Sequence, residues 1–504
     1  MCGCPSSSSG IENPVSRPSQ VKPMGRVLGG ALLRHCWRPL RGGLVRQAAM
    51  KASSSSHTST SCSVSLAQTP GFKALAENPE VDLLKTLFAR HGFPLRLAGG
   101  AVRDLLSGDT PQDLDFATTA TPHEMKTLFE TESIRTINEL GEKHGTVTCR
   151  INDSANFEVT TLRIDKVTHG RKADVEFTKD WVLDANRRDL TINSMFLDLE
   201  GNLYDYFNGA EDLQKRRVAF VGEPERRIQE DFLRILRYFR FFGRISASPD
   251  TFEEQTLDAI RLNAAGLAQI SGERIWMEWK KIMMGRFSQE IMLQMLDVGL
   301  GTHIGLPENP DIDQFKTVVQ RAPESHPITR IVALLKDDRD MMQLHVRLKL
   351  SAFERDLGLF LVEHRQEFPA LETTALDAIR PYQYMIVDHK GKPNDVRTWA
   401  EELLKYQGQP DLAKQIKEWD PPRFPISGKI LLDKGCPKGV ILGAVLRELK
   451  EQWKHSGFEA TEEDLLQGLD AAISKVDLVA LQQKKEPSFS AKKRKREFIS
   501  RTTD

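Results

Sequence analysis

The sequence predicts an α+β protein, a mixed sheet-and-helix head followed by all-α domains. Two patterns and the size of the chain predict it. Between about 71 and 215, short period-two runs and turn signals alternate with helical stretches. From about 216 to 475 the pattern is almost wholly helical, as in 274–284, 338–348 and 442–453, with breaks at 305–310 and 420–425. At 504 residues, 40% hydrophobic and 28% charged, the chain is large enough for about three domains of ordinary globular composition.

The first informative element is LAGGAVRDLLSGDTPQDLDFAT, residues 97–118. The mostly apolar run 95–98 reads as a short strand, Gly99-Gly100 as the turn and 101–106 as the first turns of a helix. Glycines let backbone approach a phosphate closely, and a helix N-terminus offers it free N–H groups and partial positive charge. Arg103 adds a bidentate phosphate partner. After the turn signal 108–111, the period-two run Asp113-Leu114-Asp115-Phe116 puts both carboxylates on one face of a strand. Two aligned oxygen ligands suit magnesium, whose octahedron substrate phosphates complete. Alone, a strand before Gly-Gly is a tight turn and a lone Asp-x-Asp is a solvated edge. At this spacing the two together point to metal-dependent nucleotidyl transfer.

These residues resemble the nucleotidyltransferases of the DNA polymerase β superfamily, in particular the bacterial-and-eukaryotic class of tRNA CCA-adding enzymes. The resemblance implies a third carboxylate on a later strand, and 157–163 supplies Glu158. Alternation there places Glu158, Thr160 and Leu162 on one face, and Phe157, Val159 and Thr161 on the other. Burial of Phe157 and Val159 explains the strand by itself; only the resemblance makes Glu158 a site residue.

Further matches follow in the family's order. Arg187-Arg188-Asp189-Leu190-Thr191-Ile192-Asn193 resembles the segment holding the incoming ribose, where Asp189 or Asn193 accepts from the 2′-hydroxyl; a capped helix start would explain the same residues. The stretch 205–213 resembles the join between head and neck. Residues 165–177 correspond to the family's mobile loop, implicated in the switch from adding C to adding A; the residues themselves say only that it is polar and contains glycine.

The run 230–241, EDFLRILRYFRF, is strongly helical, with Asp231, Arg234 and Arg237 three apart on one face and Leu233, Leu236 and Phe239 on the buried side. An isolated Asp-x-x-Arg would be a solvated ion pair. Here it resembles the family's base-reading motif, in which the protein is the template. Cytosine and adenine each present an exocyclic amine beside a ring-nitrogen acceptor, so a carboxylate facing an arginine matches both. Uracil and guanine reverse the pattern, at about 1–3 kcal/mol for each buried group left unpaired. Ser271-Gly272-Glu273-Arg274-Ile275 resembles an element bracing the neck, with Ser271 as a helix cap.

The chain's ends differ from its middle. From Met24 to Pro70 there are six arginines and lysines, many serines and no acid, the composition of a mitochondrial transit segment, although Glu12 precedes it. Met24 and Met50 are both available as internal starts. The cluster 491–496, AKKRKR, reads equally as a nuclear address, an RNA-phosphate contact or a solvated charge run. Lys+Arg and Asp+Glu both number 70, so any grip on RNA must be local. Cys2, Cys4, Cys36, Cys62, Cys149 and Cys436 form neither a zinc pattern nor a disulfide framework, and no apolar run reaches the ~18 residues of a membrane span.

The resulting expectation is a leader over 1–70, catalytic head 71–215, neck 216–275, body 276–420, tRNA-binding tail 421–475 and a basic tail 476–504. The resemblance implies template-independent addition of CCA to tRNA from CTP and ATP. Asp113 and Asp115 would hold two Mg2+ ions, with Glu158 completing the metal site or helping to deprotonate the primer hydroxyl; Gly99, Gly100 and Arg103 would hold the triphosphate; Arg188, Asp189 and Asn193 the ribose side. Asp231 and Arg234 would read the base, with Arg237 and Arg240 supporting it and the phosphates. A poly(A) polymerase of the same superfamily, or a non-catalytic RNA-binding protein, are the alternatives, the latter disfavoured by the intact carboxylates. A homodimer is left open, no membrane partner is expected, and mitochondrial placement with nuclear or cytosolic forms from internal starts is expected.

Overall fold

The computed structural model describes residues 65–137, 139–169, 172–367 and 375–475. The acid-free leader as far as 64 and the basic cluster 491–496 lie outside the described residues. The fold already begins at Ser65, which bridges to Asn202, and at Leu66, buried, whose N–H donates to Gly201 O at 2.8 Å.

The head opens with helices α1 (Pro70–Ala76) and α2 (Pro79–Arg90), each with proline in its first turn and a capping side chain, Thr69 and Asn78. Strand β1 (Leu95–Ala98) then leads through Gly99 into α3 (Gly100–Ser107), as the sequence predicts. Gly99 has φ +64, a conformation that L side chains rarely adopt. β2 (Asp115–Thr118) is followed by α4 (Pro122–Thr131), β3 (Arg135–Ile137), β4 (Thr146–Ile151) and β5 (Ala155–Thr161). The sheet is completed by β8 (Phe196–Asp198) and β9 (Leu203–Tyr204), in the order β3-β4-β5-β2-β1-β8-β9. β2 and β5 run parallel and every other named neighbouring pair is antiparallel.

One sheet face carries a core built with α2, α3 and α4, including Phe116, Phe129, Phe157 and Val159. The other carries a smaller cluster of Ala98, Ala117, Leu162, Ala185 and Phe196 beneath α5 (Trp181–Arg187). Apolar side chains thus fill both faces except at one edge of the second, where polar groups gather.

Within the stretch 165–177, expected as a loop, 165–169 and 172–177 instead lie in two paired antiparallel strands, β6 (Arg163–His169) and β7 (Lys172–Phe177). Residues 170 and 171 lie outside the described residues.

Past α6 (Gly209–Gln214) the chain is helical. Helices α7 (Pro224–Glu230), α8 (Leu233–Ile245), α9 (Glu254–Asn263) and α10 (Gly272–Met284) share one continuous core with the eight that follow, from α11 (Ser288–Asp297) to α18 (Pro410–Glu418). Residue 275, the expected neck boundary, therefore falls inside a helix. α10 packs so tightly that a Cβ on Gly272 would lie 1.9 Å from Arg347 O, which only glycine avoids. Ser271 stands at the N-cap with extended backbone, but its side chain makes no capping hydrogen bond, contrary to expectation. The last four helices, between Gly428 and Lys475, form a separate small core around Leu449 and Trp453. Among the described residues no helix is long and apolar enough to cross a membrane.

Candidate active site

A cleft of about 1220 Å³ opens between the polar edge of the head's sheet and helices α8 and α10. Its wall carries eleven arginines and lysines against six aspartates and glutamates. Because the whole chain is charge-balanced, this cationic excess is a local property of the cleft, suited to a polyanion.

The carboxylates sit on the sheet. The parallel register sets Asp115 directly against Glu158, with Phe116 turned away to pack edge-on against Phe157 in the core. Alternation in β5 is as expected: Phe157, Val159 and Thr161 are buried and Glu158 is exposed. Asp113 departs from expectation. The strand begins only at Asp115, so Asp113 lies in the preceding bend rather than two places along a strand, yet it still lines the cleft. Burial, then the charges of Glu158 and Asp113, push the Asp115 carboxyl above its ordinary range, with Arg188 opposing. None of the three carboxylates makes a hydrogen bond or ion pair with a described residue.

That donor set fits a divalent cation. Its oxygens are hard ligands, and Glu158 and Asp113 crowd Asp115 with like charge that a bound cation would offset. Among the described residues no three acidic, His or Cys side chains stand close enough to hold a metal ion by themselves; a cation at these carboxylates would need substrate phosphates as further ligands.

Above the carboxylates the polar groups are tightly organised. Arg103, only 4% exposed, gives Nη1 to Asn193 Oδ1 at 2.5 Å and Nε and Nη2 to Asp104 at 3.0 and 2.9 Å. The expected phosphate ligand is thus largely engaged within the head. Arg188 closes α5, rather than opening a helix, and is held by Asp184 at 3.0 Å. Asp189, buried, accepts from Leu190 N at 2.9 Å and from Arg237 Nε at 2.5 Å. Burial would raise its carboxyl, but the charge and hydrogen bond of Arg237 hold it below the ordinary range. Glu278, on α10, pairs with Arg240 at 2.9 Å. The guanidinium groups of Arg103 and Arg240 lie 5.0 and 4.5 Å from the ring of Phe241, which joins head to neck beneath the cleft floor.

The run 230–241, expected as one helix, is not one. α7 ends at Glu230, Asp231 is extended (φ −154, ψ 107), and α8 starts at Leu233. The backbone N–H of Arg234 donates to Asp231 O at 2.9 Å, but their side chains have other partners. Asp231 Oδ1 accepts from Leu233 N at 3.1 Å and Oδ2 from Arg274 Nη2 at 2.7 Å. Arg234 donates to Glu230 at 2.6 Å, to Arg227 O at 3.1 Å and to Arg187 O at 3.0 Å. Three of its five donors are engaged, leaving two, and the Asp231 carboxylate keeps spare lone pairs. The break turns both side chains into the cleft that Asp115 and Glu158 line.

Comparison with known proteins agrees with this arrangement. Residues 95–219 match the family described as "Poly A polymerase head domain", and 251–312 match "Probable RNA and SrmB- binding site of polymerase A". The chain is 48% identical over 418 residues to "CCA tRNA nucleotidyltransferase 1, mitochondrial" of Danio rerio, covering 82% of this chain and 96% of that one. The chain belongs to the CCA tRNA nucleotidyltransferase family. The Homo sapiens member is also 48% identical, over 401 residues, with 79% of this chain and 91% of that one covered. The Bacillus stearothermophilus CCA-adding enzyme in complex with CTP has the same fold, with TM-score 0.61 and 24% identity over 80% of this chain and 97% of that one. So does the Thermotoga maritima enzyme complexed with tRNA, at TM-score 0.57 and 20% identity over 80% of this chain and 98% of that one.

As in other polymerase β-type nucleotidyltransferases, the chemistry of this CCA tRNA nucleotidyltransferase family member uses divalent metal ions. The structure adds residues that the sequence did not single out: Glu230 as partner of Arg234, Arg274 as partner of Asp231, Asp184 behind Arg188, and Glu278 behind Arg240. Glu230 opens the run 230–241 and Arg274 lies in Ser271–Ile275. Glu278 carried one signal, an acid on the otherwise apolar side of α10.

Proposed function

We propose that this protein builds the 3′-terminal CCA of tRNA from CTP and ATP, without a nucleic-acid template, in mitochondria and with Mg2+. The observation that carries this reading is one cleft in which Asp115 and Glu158 face each other on the sheet while Asp231 and Arg234 project from the break between α7 and α8. The names of the relatives supply the substrate and the compartment.

Asp113 and Asp115 would hold two divalent ions, which when bound supply Lewis-acid stabilisation of the triphosphate and make the primer hydroxyl a better nucleophile. Glu158 draws off the proton of the 3′-hydroxyl as it attacks the α-phosphorus. The backbone at Gly99 and Gly100 cradles the departing pyrophosphate at the start of α3, with Arg103 fixed behind it. Asp189 or Asn193 accepts from the ribose, and Arg188 lines its phosphate side. Asp231 accepts the exocyclic amine of cytosine or adenine while a remaining N–H of Arg234 donates to the ring nitrogen. Arg237 and Arg240 support the base and the phosphates from α8.

The test is the product ladder on tRNA lacking CCA, with each nucleotide alone and then all four together. Addition of C, C and A, then arrest, is expected. A long A tail would mean a poly(A) polymerase, and no extension would mean a non-catalytic RNA-binding protein.

A further inference from the structure

Helix α10 carries two of the most exposed apolar side chains in the described structure, Met277 at 61% and Met284 at 66%. Its opposite side is occupied by Ile275, Trp276, Trp279, Ile282 and Met283, all buried, so an amphipathic helix would present polar residues where these methionines stand. Arg274, Met277, Lys281 and Met284 follow at steps of three and four, which puts them along one side of the helix. Arg274, Lys281 and Met284 line the catalytic cleft, as does Arg286 just beyond the helix end.

The stripe has a direction. At its inner end Arg274 holds Asp231, the residue proposed to read the incoming base. From there it runs about 15 Å toward solvent, at 1.5 Å per residue. Lys281 makes no hydrogen bond or ion pair with a described residue. The surface therefore offers cation and thioether in alternation, starting beside the position of the nucleotide being added.

We propose that this face of α10 seats the unpaired 3′ end of the tRNA primer, with Met277 and Met284 packing on its bases and Lys281 and Arg286 meeting its phosphates. The inference rests on the reading above and names the surface for its second substrate. The chemistry matches the demand. A primer that ends in the discriminator nucleotide, then in C, then in CC, must be held whatever its last base. A flexible, polarisable thioether contacts any base face without reading its hydrogen-bonding edge, and an ammonium ion meets a phosphate whatever the sequence. An apolar protein segment laid on the same face would leave the Lys281 charge without a partner, whereas a polyanionic strand uses it; Arg286 already donates to Ser246 O at 2.5 Å and keeps further N–H donors for a phosphate.

The test is steady-state C addition to tRNA ending at the discriminator nucleotide, using Met277→Ser/Met284→Ser and, separately, Lys281→Ser. The substituted side chains are exposed and outside the reading pair, so the fold should persist, which thermal unfolding checks. For the methionine pair, KM for tRNA should rise about tenfold, with KM for CTP and kcat within twofold of wild type. The affinity lost when the unpaired nucleotide is trimmed from the tRNA should shrink by a similar factor in that variant. For Lys281→Ser the slope of log affinity against log salt should fall by about 0.7, one phosphate of a single strand. Unchanged tRNA KM and undiminished sensitivity to trimming would overturn the proposal. An equal rise in KM for CTP would also overturn it, by placing these side chains at the nucleotide. Failure of the functional reading itself would show in the wild type, as absence of C addition.

Discussion

Arg274, in the first turn of α10, donates to the Asp231 carboxylate at 2.7 Å across 43 residues of sequence. The same carboxylate caps Leu233 N at 3.1 Å. The aspartate proposed to select the base is thus aimed by one helix while it starts another.

Removing that support should blur and slow base selection. Arg274→Ala leaves Asp231 with its backbone partner alone, and a lost charge-assisted hydrogen bond is worth about 1.5–3 kcal/mol. CTP and ATP should lose kcat/KM together, by about ten- to a hundredfold, with Arg274→Lys restoring part of the loss. Single-nucleotide incorporation measures it; a loss confined to ATP would show that the pair does not act on both bases alike.

The carboxylate cluster makes opposite predictions for activity and stability. Asp115→Ala or Asp113→Ala should abolish incorporation and leave tRNA binding within about twofold, since other surfaces supply most RNA contacts. Burial and the neighbouring Glu158 and Asp113 raise the Asp115 carboxyl above 3.8, so the folded state binds a proton that the unfolded state releases. Stability contributed by this group therefore falls as pH rises from 3.8 through the raised value. At neutral pH with chelator, Asp115→Asn should then unfold a degree or more above wild type. A lower Tm would contradict the repulsion.

Asp189 has the reverse sign. Its carboxyl is held below 3.8 despite burial, because Arg237 and the Leu190 N–H favour the charged form. The stability it contributes is present above pH 3.8 and is lost as pH falls through the depressed value. Denaturant unfolding of Asp189→Asn should show a deficit of about 1–3 kcal/mol at pH 7 that shrinks in acid. A deficit independent of pH would mean that packing, not charge, is what the substitution removes.

Much of this site was legible in the sequence because it is local. β1 and the start of α3 follow from an apolar run and two glycines, and the face of Glu158 follows from strict alternation in β5. What was not legible is tertiary. The run 230–241 has perfect helical periodicity, but the Asp231 side chain competes for the backbone at Leu233 and is drawn across by Arg274, so the helix breaks. Asp113 falls outside its strand because pairing with β1 and β5 begins only at Leu97↔Phe116 and Asp115↔Glu158. The hairpin β6–β7 likewise depends on cross-strand pairing that a polar composition does not announce.

Targeting is predicted by composition alone. A reporter fused after the segment beginning at Met24 should enter mitochondria, while one beginning at Met50, lacking most of the arginines, should remain largely outside. Identical cytosolic distributions would remove the transit-segment reading.

The central claim is that the protein is the template, and Asp231→Asn tests it most directly. An amide can present acceptor or donor, so the penalty against a carbonyl falls while Arg234 still opposes the ring N–H of uracil and guanine. Incorporation of CTP, ATP, UTP and GTP, each alone, on tRNA ending at the discriminator nucleotide should show UTP and GTP use rising about ten- to a hundredfold relative to CTP, the worth of about 1–3 kcal/mol. Full rejection of UTP and GTP at normal CTP activity would contradict it, leaving Asp231 a structural link to Arg274.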